Sequence, residues 1–115
     1  MAKTPHTLLS WNVNGLRAIF NKNALKDVFE LNPQVLCFQE TKAHPDQLTE
    51  ELRHFAGYHS YFASAQKKGY SGVATYSKVE PDKIEDLGDP EFDREGRVQI
   101  LTFNSLALLN CYFPN

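Results

Sequence analysis

The sequence predicts an α/β fold in which a mixed sheet carries helices on one face. Three observations lead there. The apolar run Val35-Leu36-Cys37-Phe38 stops abruptly at Gln39-Glu40-Thr41-Lys42, as a short strand buried on both faces does when it leaves the core. Leu16, Phe20, Ala24 and Val28 recur every four residues, with Leu25 and Phe29 alongside, which is a helical stripe. Val98 to Phe103 alternates apolar and polar residues, the pattern of a half-buried strand.

Residues 7–13 read as the first strand, with Asn14-Gly15 as turn chemistry. The helical stripe follows, interrupted near Asn21-Lys22-Asn23, where Asn23 is placed to cap the second part. Asn32-Pro33 stops it, because a residue before proline avoids the helical region. The strand ending at Glu40 comes next. Pro45 then opens a helix whose Leu48, Leu52 and Phe55 share a face, and Gly57 ends it. Tyr58 to Ala63 reads as a strand, Gln66 to Gly72 as a polar, glycine-flanked loop, and Val73 to Ser77 as another strand. Residues 79–96 are crowded with acidic residues and prolines and read as mostly loop. Leu106 to Tyr112 makes the hairpin partner of Val98 to Phe103 across Asn104-Ser105. On this pattern the strand-rich half carries no second layer of its own. It should leave an apolar face open, bind a hydrophobic dye and melt without a sharp transition.

The 115 residues are 42% hydrophobic and 23% charged, ordinary for one small domain. A formal charge of −2 argues against a generally basic nucleic-acid binder, though not against a local basic patch. No apolar run reaches the length of a membrane span, and residues 1–6 lack the apolar core of a secretory signal. Cys37 and Cys111 each lie in an apolar run and read as reduced core cysteines of an intracellular, cytoplasmic protein. Nothing in the sequence demands an oligomer, so a monomer is expected.

Three polar groups fall at strand ends: Asn12, Glu40 and, just past Tyr112, Asn115. Strand ends are where layered α/β folds deliver side chains to a common rim. A carboxylate beside amide oxygens suits a hard cation such as Mg²⁺, with Mn²⁺ as a substitute, because Mg²⁺ takes few protein ligands and adds substrate phosphate oxygens. Bound to a phosphodiester, such an ion neutralises developing charge. Taken singly, Asn12 and Asn115 are turn formers more often than ligands, and Glu40 is equally at home as a solvated residue opening a loop.

The stretch Ser10-Trp11-Asn12-Val13-Asn14-Gly15-Leu16-Arg17-Ala18 resembles the opening motif of the exodeoxyribonuclease III family of abasic-site endonucleases. Leu36-Cys37-Phe38-Gln39-Glu40-Thr41-Lys42 resembles its second motif. Gly69-Tyr70-Ser71-Gly72-Val73, Glu95-Gly96-Arg97-Val98 and Cys111-Tyr112-Phe113-Pro114-Asn115 resemble three more, in the family's order. The resemblance implies a four-layer α/β sandwich and a Mg²⁺-dependent phosphodiesterase acting on duplex DNA. Its implied activities are incision 5′ to abasic sites and 3′→5′ removal of nucleotides. It places the metal-binding glutamate on Glu40 and a metal- and phosphate-lining asparagine on Asn12. It places an active-site tyrosine on Tyr112 and a further site-lining asparagine on Asn115. Asn14 stands where some members carry an aspartate; being neutral, it is not expected to be a direct ligand. Arg17, Tyr70 and Arg97 match positions near the DNA-binding face, and Lys67 and Lys68 supply phosphate contacts or form a solvated loop.

The family's later motifs are absent: an Asp-x-Asn that orients the attacking water, a further aspartate, and a terminal Ser-Asp-His. None of His6, His44, His54 and His59 sits in a matching context, and neither Asp89 nor Asp93 belongs to an Asp-x-Asn. Residues 1–115 are therefore expected to be the N-terminal part of one domain, inactive by themselves. Two other readings stay open: a same-fold phosphoesterase acting on inositol phosphates or a phospholipid, and a non-catalytic chain that binds DNA or a partner.

Overall fold

The computed structural model describes residues 3–114. Its first sheet contains β1 (Leu8–Asn12), β2 (Val35–Gln39), β3 (His59–Ala63) and β4 (Val73–Ser77) in the order β1-β2-β4-β3. β1 runs parallel to β2, while β4 is antiparallel to both β2 and β3, so the sheet is mixed as its pattern predicts. β2 is buried from Val35 to Phe38 because both of its faces are covered. Leu36 and Phe38 pack on the helical side with Leu16, Leu25, Phe29, Leu52 and Tyr76, whereas Val35 and Cys37 face Leu101 and Phe103.

The helical stripe forms α1 (Leu16–Asn21) and α2 (Ala24–Glu30). Asn23 breaks it by adopting a left-handed φ of 60°, and its side chain makes no capping hydrogen bond, contrary to the cap expected there. The expected single helix after Pro45 is instead a 3₁₀ turn, Pro45–Gln47, then extended Leu48, then α3 (Glu50–Arg53). Thr49 caps α3, its Oγ1 accepting from the Leu52 N–H at 3.2 Å, and this restart is what Pro45 alone did not reveal. Leu48 and Leu52 are nevertheless buried and Phe55 packs beside them, as their spacing predicts.

The acidic stretch 79–96 is not all loop. It holds a short strand, β5 (Lys83–Glu85), and a helical turn, α4 (Pro90–Asp93), capped by Asp89 through the Glu91 N–H at 3.0 Å. β5 pairs with β6 (Val98–Phe103), which pairs with β7 (Leu106–Cys111), making a second, antiparallel sheet. The chain therefore does contain a second layer, against the expectation of none. The inward residues of the hairpin, Leu101 and Phe103, are fully buried against the first sheet. The described residues thus form three of the four expected layers: helices, four-stranded sheet and three-stranded sheet.

The cover is incomplete on one side. The slot between β1 and β7 is an open cleft of about 340 Å³, lined by Leu8, Ser10, Gln39, Leu109 and Phe113 among others. Apolar surface stays open at this slot and at exposed residues of the second layer such as Ile84, Leu87 and Phe92, whereas the hairpin face that carries Leu101 and Phe103 is covered. Among the described residues, no helix is long and apolar enough to cross a membrane.

Candidate active site

Glu40 is positioned by the backbone on both sides of it. β2 ends at Gln39, and the chain then turns through left-handed conformations at Glu40 (φ 59°) and Lys42 (φ 55°). Such conformations are uncommon for residues with a Cβ and are held here by the surroundings. The carbonyls of Glu40 and Thr41 accept from the N–H groups of Gly15 (2.8 Å) and Leu16 (2.9 Å). The N–H groups of Thr41 and Lys42 donate to the carbonyls of Gly72 (3.1 Å) and Ser71 (2.8 Å). The turn after β1 and the loop before β4 therefore grip the same three residues. Gly72 allows that approach: with φ 92°, a Cβ there would come 2.3 Å from Thr41 Oγ1.

Parallel pairing of β1 and β2 sets Asn12 opposite Gln39, so Asn12 and Glu40 reach one rim. Asn12 Nδ2 donates to Glu40 Oε1 at 3.4 Å, and Asn12 Oδ1 accepts from the Asn14 N–H at 3.1 Å. Lys42 Nζ lies 3.2 Å from Glu40 Oε2 and donates to Asn14 Oδ1 at 2.7 Å. The Glu40 side chain keeps 20% of its surface in solvent. Tyr112 follows β7 in the second sheet, its N–H held by the Arg97 carbonyl at 2.8 Å, and its phenol lies within electrostatic reach of the same carboxylate. The Tyr112 phenol is pushed above its ordinary value by desolvation, then by the charge of Glu40 and the hydrogen bond donated to it; Arg97 opposes the shift. The phenol is therefore protonated at neutral pH.

Arg97 lies 5.9 Å from the centre of the Tyr112 ring, donates to the Tyr70 hydroxyl at 3.0 Å and pairs with Glu95 at 3.5 Å. Its Nε is buried with no hydrogen-bond partner among the described residues. Lys67 sits 5.7 Å from the Tyr70 ring, over a hollow of about 390 Å³ that Arg94 and Glu95 also line. On the other flank, Arg17 donates to the Lys42 carbonyl at 3.1 Å and borders a hollow of about 520 Å³ with Asn14, Lys42 and Gly69.

Of the residues picked from sequence, the structure brings Asn12, Glu40, Tyr112, Arg97 and Tyr70 into one connected group, with Lys67 and Arg17 on its flanks. Lys68 points elsewhere, 3.9 Å from Asp46 with both side chains exposed. Asn115 lies outside the described residues. Asn14, not expected to be a direct ligand, accepts from Lys42; Lys42 was not singled out, yet it is the ammonium against Glu40. Only its place two residues after the carboxylate hinted at this, and the left-handed turns between them hid the contact.

Among the described residues, no group of three or more His, Cys, Asp or Glu side chains could hold a metal ion. A site rich in protein ligands is thus not present there. One partly exposed carboxylate beside amides fits a hard cation that keeps its waters. Asn12 faces Glu40 with its amide nitrogen and has given its oxygen to Asn14. In this arrangement it orients the carboxylate.

Fold and rim together are those of a layered α/β sandwich with its polar site at the strand ends. The chain belongs to the Endonuclease/Exonuclease/phosphatase family, whose model matches residues 9–110. It is 43% identical over 110 residues to an exodeoxyribonuclease of Bacillus subtilis, covering 94% of this chain and 42% of that protein. It is 41% identical over 111 residues to the DNA repair nuclease APEX1 of Danio rerio, covering 94% of this chain and 36% of that one. The solved AP endonuclease of Archaeoglobus fulgidus superimposes with a TM-score of 0.75 at 31% identity, over 92% of this chain and 40% of its own. The chain thus spans less than half the length of these relatives.

Proposed function

We propose that residues 1–115 form the metal-holding part of a DNA-repair phosphodiesterase that incises 5′ to abasic sites and removes nucleotides 3′→5′ from duplex DNA. The observation that carries this reading is the convergence of Glu40, Asn12, Tyr112 and Arg97 at one rim. The relatives support the substrate class, since their names are those of an exodeoxyribonuclease, a DNA repair nuclease and an AP endonuclease.

Glu40 would hold Mg²⁺, with Mn²⁺ as a substitute, and Asn12 would keep the carboxylate oriented for it. When bound there, the ion supplies neutralisation of the charge that develops on phosphate oxygens. The protonated Tyr112 hydroxyl donates to a phosphate oxygen once the substrate displaces its contact with Glu40. Arg97 fixes the tyrosine ring from one side. Arg17, Tyr70 and Lys67 line the two flanking hollows and position the duplex, with Lys68 as a peripheral charge. Asn115 joins this site on the family resemblance. Water activation belongs to the further portion that the relatives carry, so this chain alone binds but does not cleave, as a monomer in the cytoplasm.

The test is incision of a duplex with a single abasic site, in Mg²⁺, by the protein carrying the complete domain. Glu40→Ala should slow incision by about 10³-fold or more, the loss expected when a metal's charge stabilisation of several kcal/mol is removed. An unchanged rate would overturn the assignment.

A further inference from the structure

Beneath the Glu40–Tyr112 pair, a row of polar side chains crosses the otherwise apolar space between the sheets. Asn110 on β7 is 2% exposed. Its Nδ2 donates to the Ala74 carbonyl at 2.9 Å and to Thr75 Oγ1 at 3.1 Å, with the Phe38 carbonyl at 3.4 Å. Its Oδ1 accepts from Gln39 Nε2 at 2.8 Å, and Gln39 Nε2 also reaches Ser10 Oγ at 3.0 Å. Thr75 Oγ1 in turn donates to Gln99 Oε1 at 2.8 Å. Phe38 and Ala74 are register partners in β2 and β4, so one amide grips both strands at a single level.

Burying an amide is costly unless it is fully hydrogen-bonded, and an apolar residue of similar size fills such a space without that constraint. Apolar contact between stacked sheets is non-directional and does not fix how far one sheet slides over the other. Hydrogen bonds to backbone carbonyls do. Gln39 is one residue from Glu40, and Asn110 is two residues from Tyr112. The clamp therefore joins the two chain segments that deliver the facing carboxylate and phenol.

We infer that the Asn110–Gln39 clamp is a positioning device, setting the register of the second sheet on the first so that Tyr112 meets Glu40. This rests on the proposed site at Glu40 and Tyr112. Asn110 and Gln39 touch no substrate in this role; they act through the strands they join. A purely structural amide would support stability without fixing the phenol on the carboxylate.

The experiment reads the Tyr112 ring by NMR at one neutral pH in the 115-residue chain carrying ¹³Cζ-tyrosine, with Tyr58 and Tyr61 as internal controls. Three variants are compared: Glu40→Gln, Asn110→Ala and Gln39→Leu. The last disturbs a half-buried side chain and serves if Asn110→Ala does not fold. Glu40→Gln should shift the Tyr112 ¹³Cζ signal. The clamp variants should shift it by at least half as much, while the Tyr58 and Tyr61 signals stay put. If Glu40→Gln shifts the signal and neither folded clamp variant does, even with a lower Tm, the clamp is merely structural and the inference fails. If Glu40→Gln leaves the signal unmoved, the Glu40–Tyr112 reading fails and the inference falls with it.

Discussion

The Lys42 ammonium lies 3.2 Å from the Glu40 carboxylate, on a turn in which both residues adopt left-handed backbone conformations. Two side chains of opposite charge are thus held together by a backbone that neither residue prefers. Left-handed residues with a Cβ cluster where the surroundings over-determine them, as the hydrogen bonds from the Gly15 and Leu16 N–H groups and to the Ser71 and Gly72 carbonyls do here.

From this pair follows a prediction about metal affinity. Lys42 keeps 41% of its side chain in solvent, so the ion pair contributes at most about 1 kcal/mol to stability. Its positive charge nevertheless opposes a divalent cation on Glu40. Lys42→Gln should tighten Mn²⁺ binding to the chain about threefold or more while leaving Tm within a few degrees. A Mn²⁺ titration checks this, and weaker binding would show that Lys42 helps build the site.

Gly96 carries the Arg97 loop against the end of β3. Its φ is 61°, and a Cβ there would sit 2.5 Å from the backbone of Ser64 and Ala65. Neither neighbour is a side-chain tip that can swing away. Gly96→Ala should cost about 2–4 kcal/mol, from left-handed strain plus overpacking. It should also move Arg97 off the Tyr112 ring. Denaturant unfolding measures the first effect and tyrosine chemical shifts the second. The matching substitution Gly88→Ala meets nothing within 4 Å and should cost only backbone strain.

Cys37 faces the space between the sheets, and burial pushes its thiol up to about 11, with Thr75 pulling it down and Cys111 adding to the rise. The folded value lies above the unfolded one, so the stabilisation is complete below about pH 8.5 and is lost as pH rises toward 11. Stability measured by urea unfolding should be flat through neutral pH and fall above pH 9, less so in Cys37→Ala. A thiol reagent at pH 8 should leave Cys37 unmodified until the chain unfolds. Rapid modification of the native chain would mean that the sheets part more easily than their packing indicates.

Much of the fold was legible because its elements declare themselves locally. The four apolar residues before Gln39 could only be a strand covered on both faces, and the rim position of Glu40 followed from where that run stops. β5 was invisible because all three of its residues are exposed, so no alternation marks it. The second layer was missed for a related reason. The pattern of Val98 to Phe103 says that one face is buried but not against what, and the answer, Val35 and Cys37, is set by tertiary packing. Asn110 carries no signal in its sequence context, and only the structure shows it turned inward onto two backbones. The Lys42–Glu40 contact escaped because local propensity disfavours the conformations that create it, as is common at functional sites.

The central claim is that Glu40 is the metal-holding carboxylate, and paramagnetic broadening by Mn²⁺ in NMR spectra of this chain tests it most directly. The account predicts broadening centred on Asn12, Glu40 and Tyr112, reversed by excess Mg²⁺ and abolished by Glu40→Gln. Broadening centred instead on the acidic segment 80–95, and unchanged in Glu40→Gln, would contradict it.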